Sequence, residues 1–99
     1  KRIRERAKSG DPIAIHRMGQ YYFDGSEGFP EDKEKALELY LHAGDLGSTI
    51  AYFKAGVLYD TGQGVKRNKR KAKSYYELAW EGMSLQGTIL AALNLIRAK

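Results

Sequence analysis

The chain repeats itself, and that repetition limits its fold more than any other feature. At an offset of 37 residues, Asp11 meets Ser48, Ala14 meets Ala51, Gly19 meets Gly56, Tyr22 meets Tyr59 and Gly25 meets Gly62. One residue of slack in the first turn changes the offset to 36. Then Gly28 meets Gly64, Asp32 meets Asn68, Lys35 meets Lys71, Ala36 meets Ala72, Tyr40 meets Tyr76 and Ala43 meets Ala79. A third copy begins at the same spacing, with Ser48 against Ser84, Gly56 against Ala92 and Val57 against Leu93. Periods of this length build arrays in which each unit buries its apolar face against the next.

Each copy carries the end signals of two helices. Asp11-Pro12 is an N-cap followed by proline at the first helical position, and Ser48 and Ser84 cap the matching helices of the later copies. Asp32 and Asn68 cap the second helix of each pair. The glycines at 25–28 and 62–64 supply the positive-φ positions of the connecting turn. Gly47 and Gly82 stand where the second helix must stop. The spacing predicts helices near 12–23, 33–45, 49–60, 69–81 and 85–97, with residues 1–8 as the tail of an earlier second helix. The expected fold is all-α: one domain over 1–99, with repeats at about 11–46 and 48–82 and a half repeat at 84–98. Small residues (Ala14, Gly19, Ala36, Ala43 and their counterparts) recur beside Tyr22, Tyr40, Tyr59 and Tyr76. Small side chains let helices approach closely, and the tyrosine rings fill the space beside them, so these tyrosines read as core.

The run Ala51-x-x-x-Ala55-Gly56-x-x-Tyr59-x-x-Gly62-x-Gly64-Val65-x-x-Asn68-x-x-Lys71-Ala72-x-x-Tyr75-Tyr76-x-x-Ala79 resembles the Sel-1-like repeat. That repeat is a relative of the tetratricopeptide repeat with a period of about 36 residues. The first copy matches too, with Phe29 in the place of Val65, and the resemblance covers roughly residues 7 to 95. It implies a short right-handed α-solenoid of about two and a half helical hairpins. It also implies a non-enzymatic adaptor that holds other proteins or peptides, because the motif consists of packing residues. Trp80 departs from the pattern by replacing the usual second small residue after Ala79. Met83 stands in the place of the closing glycine. These contiguous departures leave an excised or engineered scaffold among the readings.

In the tetratricopeptide class, the first helix of each pair lines the concave face. On that placement, Ile13, Ile50 and Gln86 form a ladder across the copies, as do His16, Phe53 and Ile89. Arg17, Lys54 and Leu90 form a third, and Gln20, Val57 and Leu93 a fourth. Polarity falls toward the C-terminus along three of them. The expected protein-binding surface is therefore apolar, made by Ile50, Phe53, Val57, Trp80, Leu85, Ile89, Leu90 and Leu93. Trp80 is expected to contact helix 85–97. That helix is apolar on more than one side, which suits a helix covered by more than one neighbour and makes a homodimer the expected assembly.

The competing surface is basic. Lys66, Arg67, Lys69, Arg70, Lys71 and Lys73 fall within eight residues. Positive charge at a helix N-terminus is unfavourable, so the run does not serve helix stability. It suits nucleic acid or an anionic membrane surface, although no base-stacking aromatics are interleaved with it. The net charge of +5 permits such partners without requiring them. With no cysteine, disulfides and thiolate metal sites are excluded. His16 and His42 sit on different helices, with no His or Cys partner at i, i+4, so no metal site is expected. No nucleophile with a base beside it and no phosphate-binding loop appears, so no enzyme or cofactor is expected. No apolar run is long enough to span a bilayer. The segment KRIRERAK lacks the apolar core of a signal peptide.

Overall fold

A computed structural model describes residues 2–98, and at positions 85, 86, 88–91, 93 and 98 it describes the helical backbone alone. Helices α1 (Arg2–Lys8), α2 (Pro12–Asp24), α3 (Lys33–Asp45), α4 (Thr49–Thr61) and α5 (Lys69–Ala98) follow in order. α2 packs on α3 and α4 on α5 as hairpins, α3 packs on α4, and α1 rests on α2. The fold is the expected all-α, right-handed solenoid of stacked hairpins.

Local sequence accounts for the helix ends. Asp11 Oδ1 accepts hydrogen bonds from the backbone N–H groups of Ile13 (3.0 Å) and Ala14 (3.5 Å). The Arg6 guanidinium donates to Asp11 Oδ2 at 2.8 Å and holds the carboxyl below its ordinary range. Asp32, Ser48 and Asn68 accept from the N–H groups of Lys35, Ala51 and Lys71 at 3.0, 3.2 and 3.0 Å. The two connecting turns share one geometry. Gly25 (φ 68°) and Gly62 (φ 70°) close their helices in the left-handed region. The N–H of Asp32 then reaches Tyr22 O at 2.7 Å, and that of Asn68 reaches Tyr59 O at 2.9 Å.

Close backbone approach builds the core. Ala14, Ala36, Ala43, Ala51 and Ala55 are fully buried. A Cβ on Gly19 would lie 2.8 Å from the Tyr40 ring, and one on Gly56 would lie 2.7 Å from the Tyr76 ring. The same contact therefore recurs one repeat later. Tyr40 and Tyr59 are buried as expected, whereas Tyr22 and Tyr76 are half-buried.

The predicted break at 82–84 does not occur. α5 runs without interruption from Lys69 to Ala98, so the helices expected at 69–81 and 85–97 are one. Ser84 lies inside α5 and not at a helix start. Gly82 packs against Thr49 at the start of α4 and does not end α5. The first repeat supplies the reason. There, Gly47 turns the chain at φ 110°, and the ring of Tyr52 on α4 lies against the bare face of Gly44. One repeat later these positions hold Met83 and Trp80. Met83 has a side chain that disfavours positive φ, and Trp80 replaces the bare glycine face on which a ring of the next helix rests one repeat earlier. The chain therefore continues straight for 30 residues, or about 45 Å. The radius of gyration reflects this, at 15.3 Å against about 13 Å for a compact chain of this size.

Gly56→Val is expected to lower unfolding free energy by about 1–3 kcal/mol in urea titration, because the added methyls meet the Tyr76 ring. In a Tyr76→Ala background the same change is expected to cost less. Equal costs in both backgrounds would contradict this origin.

Candidate protein-binding surface

Two hollows flank α4, and Phe53 belongs to both. The first is a groove of about 310 Å³ between α2 and α4. Gln20, Phe23 and Asp24 form one wall and Phe53, Lys54, Val57 and Leu58 the other, with Tyr40 of α3 between them. Burial pushes the Tyr40 hydroxyl up to about 12, so it stays protonated. The Lys54 ammonium stands 5.8 Å from the Tyr40 ring centre, and the Lys33 ammonium lies 4.3 Å from the Phe23 ring centre. His16, one turn from Gln20, lies 5.7 Å from Tyr40 ring to ring. Its Nε2 is buried with no hydrogen-bond partner. Burial, helped by the charges of Lys54 and Arg17, depresses its pKa.

The second hollow is larger, about 470 Å³, and almost wholly apolar. Phe53 of α4 and Tyr76, Ala79, Trp80 and Met83 of α5 line it. The Phe53 and Tyr76 rings lie 5.5 Å apart, and the Tyr76 hydroxyl donates to Asp60 at 3.3 Å. Phe53, Trp80 and Met83 are 52%, 69% and 54% exposed.

The sequence-predicted site is partly assembled. Phe53 and Trp80 share the apolar hollow, Val57 lies in the adjoining groove, and Ile50 is exposed near the start of α4 but lines neither. Trp80 does not pack against a separate helix 85–97, since that segment is its own helix continued. The ladders from α4 to residues 86, 89, 90 and 93 end on side chains outside the described residues. They needed a helix beside α4, whereas α5 passes the start of α4 at Gly82 and carries those residues onward. Leu85, Ile89, Leu90 and Leu93 lie on that continuation, and their side chains fall outside the described residues. Sequence reasoning missed Tyr76 and Met83 as lining residues. Tyr76 read as core because it recurs at the repeat spacing beside small residues, as Tyr40 does. Met83 was visible as a thioether in the place of a turn glycine.

The basic run forms a distinct surface on the turn before α5 and its first turns. Arg67 Nε donates to the Asp60 carbonyl at 3.0 Å, and Lys71 lies 5.4 Å from the Tyr59 ring centre. Among the described residues, the ion pairs are Arg6–Asp11, Lys33–Glu31 and Lys35–Glu38, so Lys66, Lys69, Arg70 and Lys73 face solvent without an acidic partner. Among the described residues, no three His, Asp or Glu side chains gather as a metal site would require. No described helix is long and apolar enough to cross a membrane.

Comparison with known proteins places both hairpins. The family model described as the Sel1 repeat matches residues 12–48 and again 49–81. The ERAD-associated E3 ubiquitin-protein ligase component HRD3B of Arabidopsis thaliana is 37% identical over 74 residues, which are 74% of this chain and 11% of that protein. Chitin synthase regulatory factor 3 of Schizosaccharomyces pombe is 36% identical over 70 residues, 71% of this chain and 8% of that protein. The chain thus spans about a tenth of the length of the curated relatives it matches. Among solved structures, c5321, a protective antigen of uropathogenic Escherichia coli strains displaying an SLR fold, superposes with a TM-score of 0.76 at 34% identity. The match covers 80% of this chain and 17% of that one.

His16 offers a spectroscopic readout of the groove. Its imidazole is expected to titrate by NMR below the ordinary value of 6.5. Lys54→Gln is expected to move it only part of the way back, because burial is the larger cause. As pH falls through 6.5, the unfolded chain takes up this proton before the folded one does. Stability is therefore lost from that value down to the folded pKa. His16→Gln is expected to remove this part of the pH dependence in urea titrations.

Proposed function

The chain belongs to the Sel1 repeat family, and from that premise we propose that it is a non-enzymatic adaptor that binds protein or peptide partners. Its binding surface is the hollow between α4 and α5 together with the adjoining groove between α2 and α4, with Phe53, which lines both, as the central anchor. The single observation that carries this reading is the run of exposed apolar side chains, Phe53, Trp80 and Met83, around one rigid hollow. Contiguous exposed apolar area of this kind marks interfaces, and aromatic anchors supply most of their binding energy. Ile50 and Val57 extend the surface along α4, and Leu85, Ile89, Leu90 and Leu93 extend it along α5. A surface held by packed helices is ordered before the partner arrives, which lowers the entropic cost of association. The relatives' printed names, a ligase component and a chitin synthase regulatory factor, describe proteins that work with others, and they support the adaptor role. The same apolar surface also favours self-association through the C-terminal part of α5.

A second reading rests on the unpaired Lys66, Lys69, Arg70 and Lys73, which suit an anionic macromolecule by counterion release. One experiment separates the two. Peptides are selected against this chain from a displayed random library. They are expected to lose more than about tenfold in affinity on Phe53→Asp. Binding should be unchanged when Lys66, Arg67, Lys69 and Arg70 are all replaced by Gln. The reverse pattern would move the function to the basic run. Sedimentation across a dilution series reads the self-association, and a monomer at every concentration would remove it.

A further inference from the structure

α3 and the first half of α5 are copies of one another in different surroundings. α3 packs Tyr40 on Gly19 of α2 at the floor of the groove that α4 walls, and sets Gly44 against Tyr52 of α4; Tyr40 is only 2% exposed. At the matching register α5 offers Tyr76, Ala79 and Trp80, which with Phe53 and Met83 wall the open hollow. The hollow is therefore the seat that α4 fills one repeat earlier, and what fills such a seat is the first helix of a repeat. The chain carries that helix in residues 84–98. At an offset of 36, Gly87 matches Ala51, Ala91 matches Ala55 and Ala92 matches Gly56. These are the three small positions of α4 that are buried. Yet α5 runs straight through Met83, so the segment leaves along the helix axis and cannot reach the seat on its own chain.

We propose that residues 84–98 of a second copy occupy the seat, reciprocally, in a two-fold domain-swapped dimer. This deepens the self-association reading above and rests on it. Successive helices of the array run antiparallel. Two α5 helices laid antiparallel, with the two-fold axis near Met83, place residues 84–98 of each copy against residues 69–83 of the other. One symmetry operation fills both seats and places the third-repeat ladders between copies. Trp80, which lines the seat in one copy, becomes a wall of the shared interface.

The chain has no cysteine, so introduced thiols are unique. Val57 stands one repeat from Gln20, and residue 90 stands one repeat from Lys54. Gln20 and Lys54 face each other across the groove. Val57→Cys and Leu90→Cys variants are mixed, allowed to exchange and treated with a short bismaleimide, alongside sedimentation of the unmodified chain. The expected result is a dimer by sedimentation and a cross-linked species that forms in the mixture, with little in either variant alone. A dimer in which Leu90→Cys links to itself, with no mixed adduct, would overturn the swap while leaving self-association intact. A monomer at every concentration would overturn both. In a further variant, Trp80→Gly with Met83→Gly restores the small residue and the turn glycine. It is expected to become monomeric with its helix content retained by circular dichroism. Persistence of the dimer in that variant would also overturn the swap.

Discussion

The closeness with which helix backbones meet at small residues governs the rest of this structure. The Tyr40 ring rests where Gly19 has no side chain, and the Tyr76 ring does the same at Gly56. A third such contact, Tyr52 on Gly44, sets one hairpin against the next. The first two hold hairpins together, and the third propagates the array. Wherever the small residue is present, the stacking repeats. At Trp80, where it is absent, the stacking stops and the helix runs on. Interiors packed at this density admit no intermediate arrangement, because an indole cannot occupy the volume of a hydrogen atom.

The same substitution creates the candidate binding surface. Tyr40 and Tyr76 are counterparts in sequence and in their contact with a glycine, yet one is buried and the other half-exposed. The difference lies in whether a further helix covers them. Apolar side chains that would be core in a longer regular array become surface at the interruption, with Phe53 at their centre. Positions that pack helices elsewhere in the repeat thus line an exposed apolar hollow here. The adjoining groove differs in chemistry. Gln20, Asp24 and Lys54 place polar groups beside Phe23, Phe53 and Val57. A partner crossing from one hollow to the other meets a polar stretch and then an apolar one.

Charge is arranged separately from this surface. The cations of the basic run gather on the turn before α5 and its first turns, where the helix dipole opposes them, and among the described residues four of them have no acidic partner. By contrast, the Arg6–Asp11 pair sits at an N-cap and joins α1 to α2 through one carboxylate that also accepts two backbone N–H groups. One group of charges is built into the fold, and the other is left to solvent and partners.

Much of the fold was legible in the residues themselves. Asp11, Asp32, Ser48 and Asn68 cap helices because short oxygen-bearing side chains reach free N–H groups only at such positions. Gly25 and Gly62 mark turns because the backbone there is left-handed. Phe53 stood out by register and Trp80 by its departure from the repeat, and the two line one hollow. The continuation of α5 was not legible, because Gly82 and Ser84 are local stop and start signals and local signals favoured a turn. Tertiary structure overruled them. Gly82 packs against Thr49 and stays helical, while Met83 stands where a positive-φ glycine turns the chain one repeat earlier. The sequence by itself determined the repeat, its caps and its small-residue contacts, since these depend on backbone chemistry within a few residues. Where the array stops, and which packing residues are thereby exposed, was decided only in three dimensions, because that depends on volumes supplied by helices far apart in the chain.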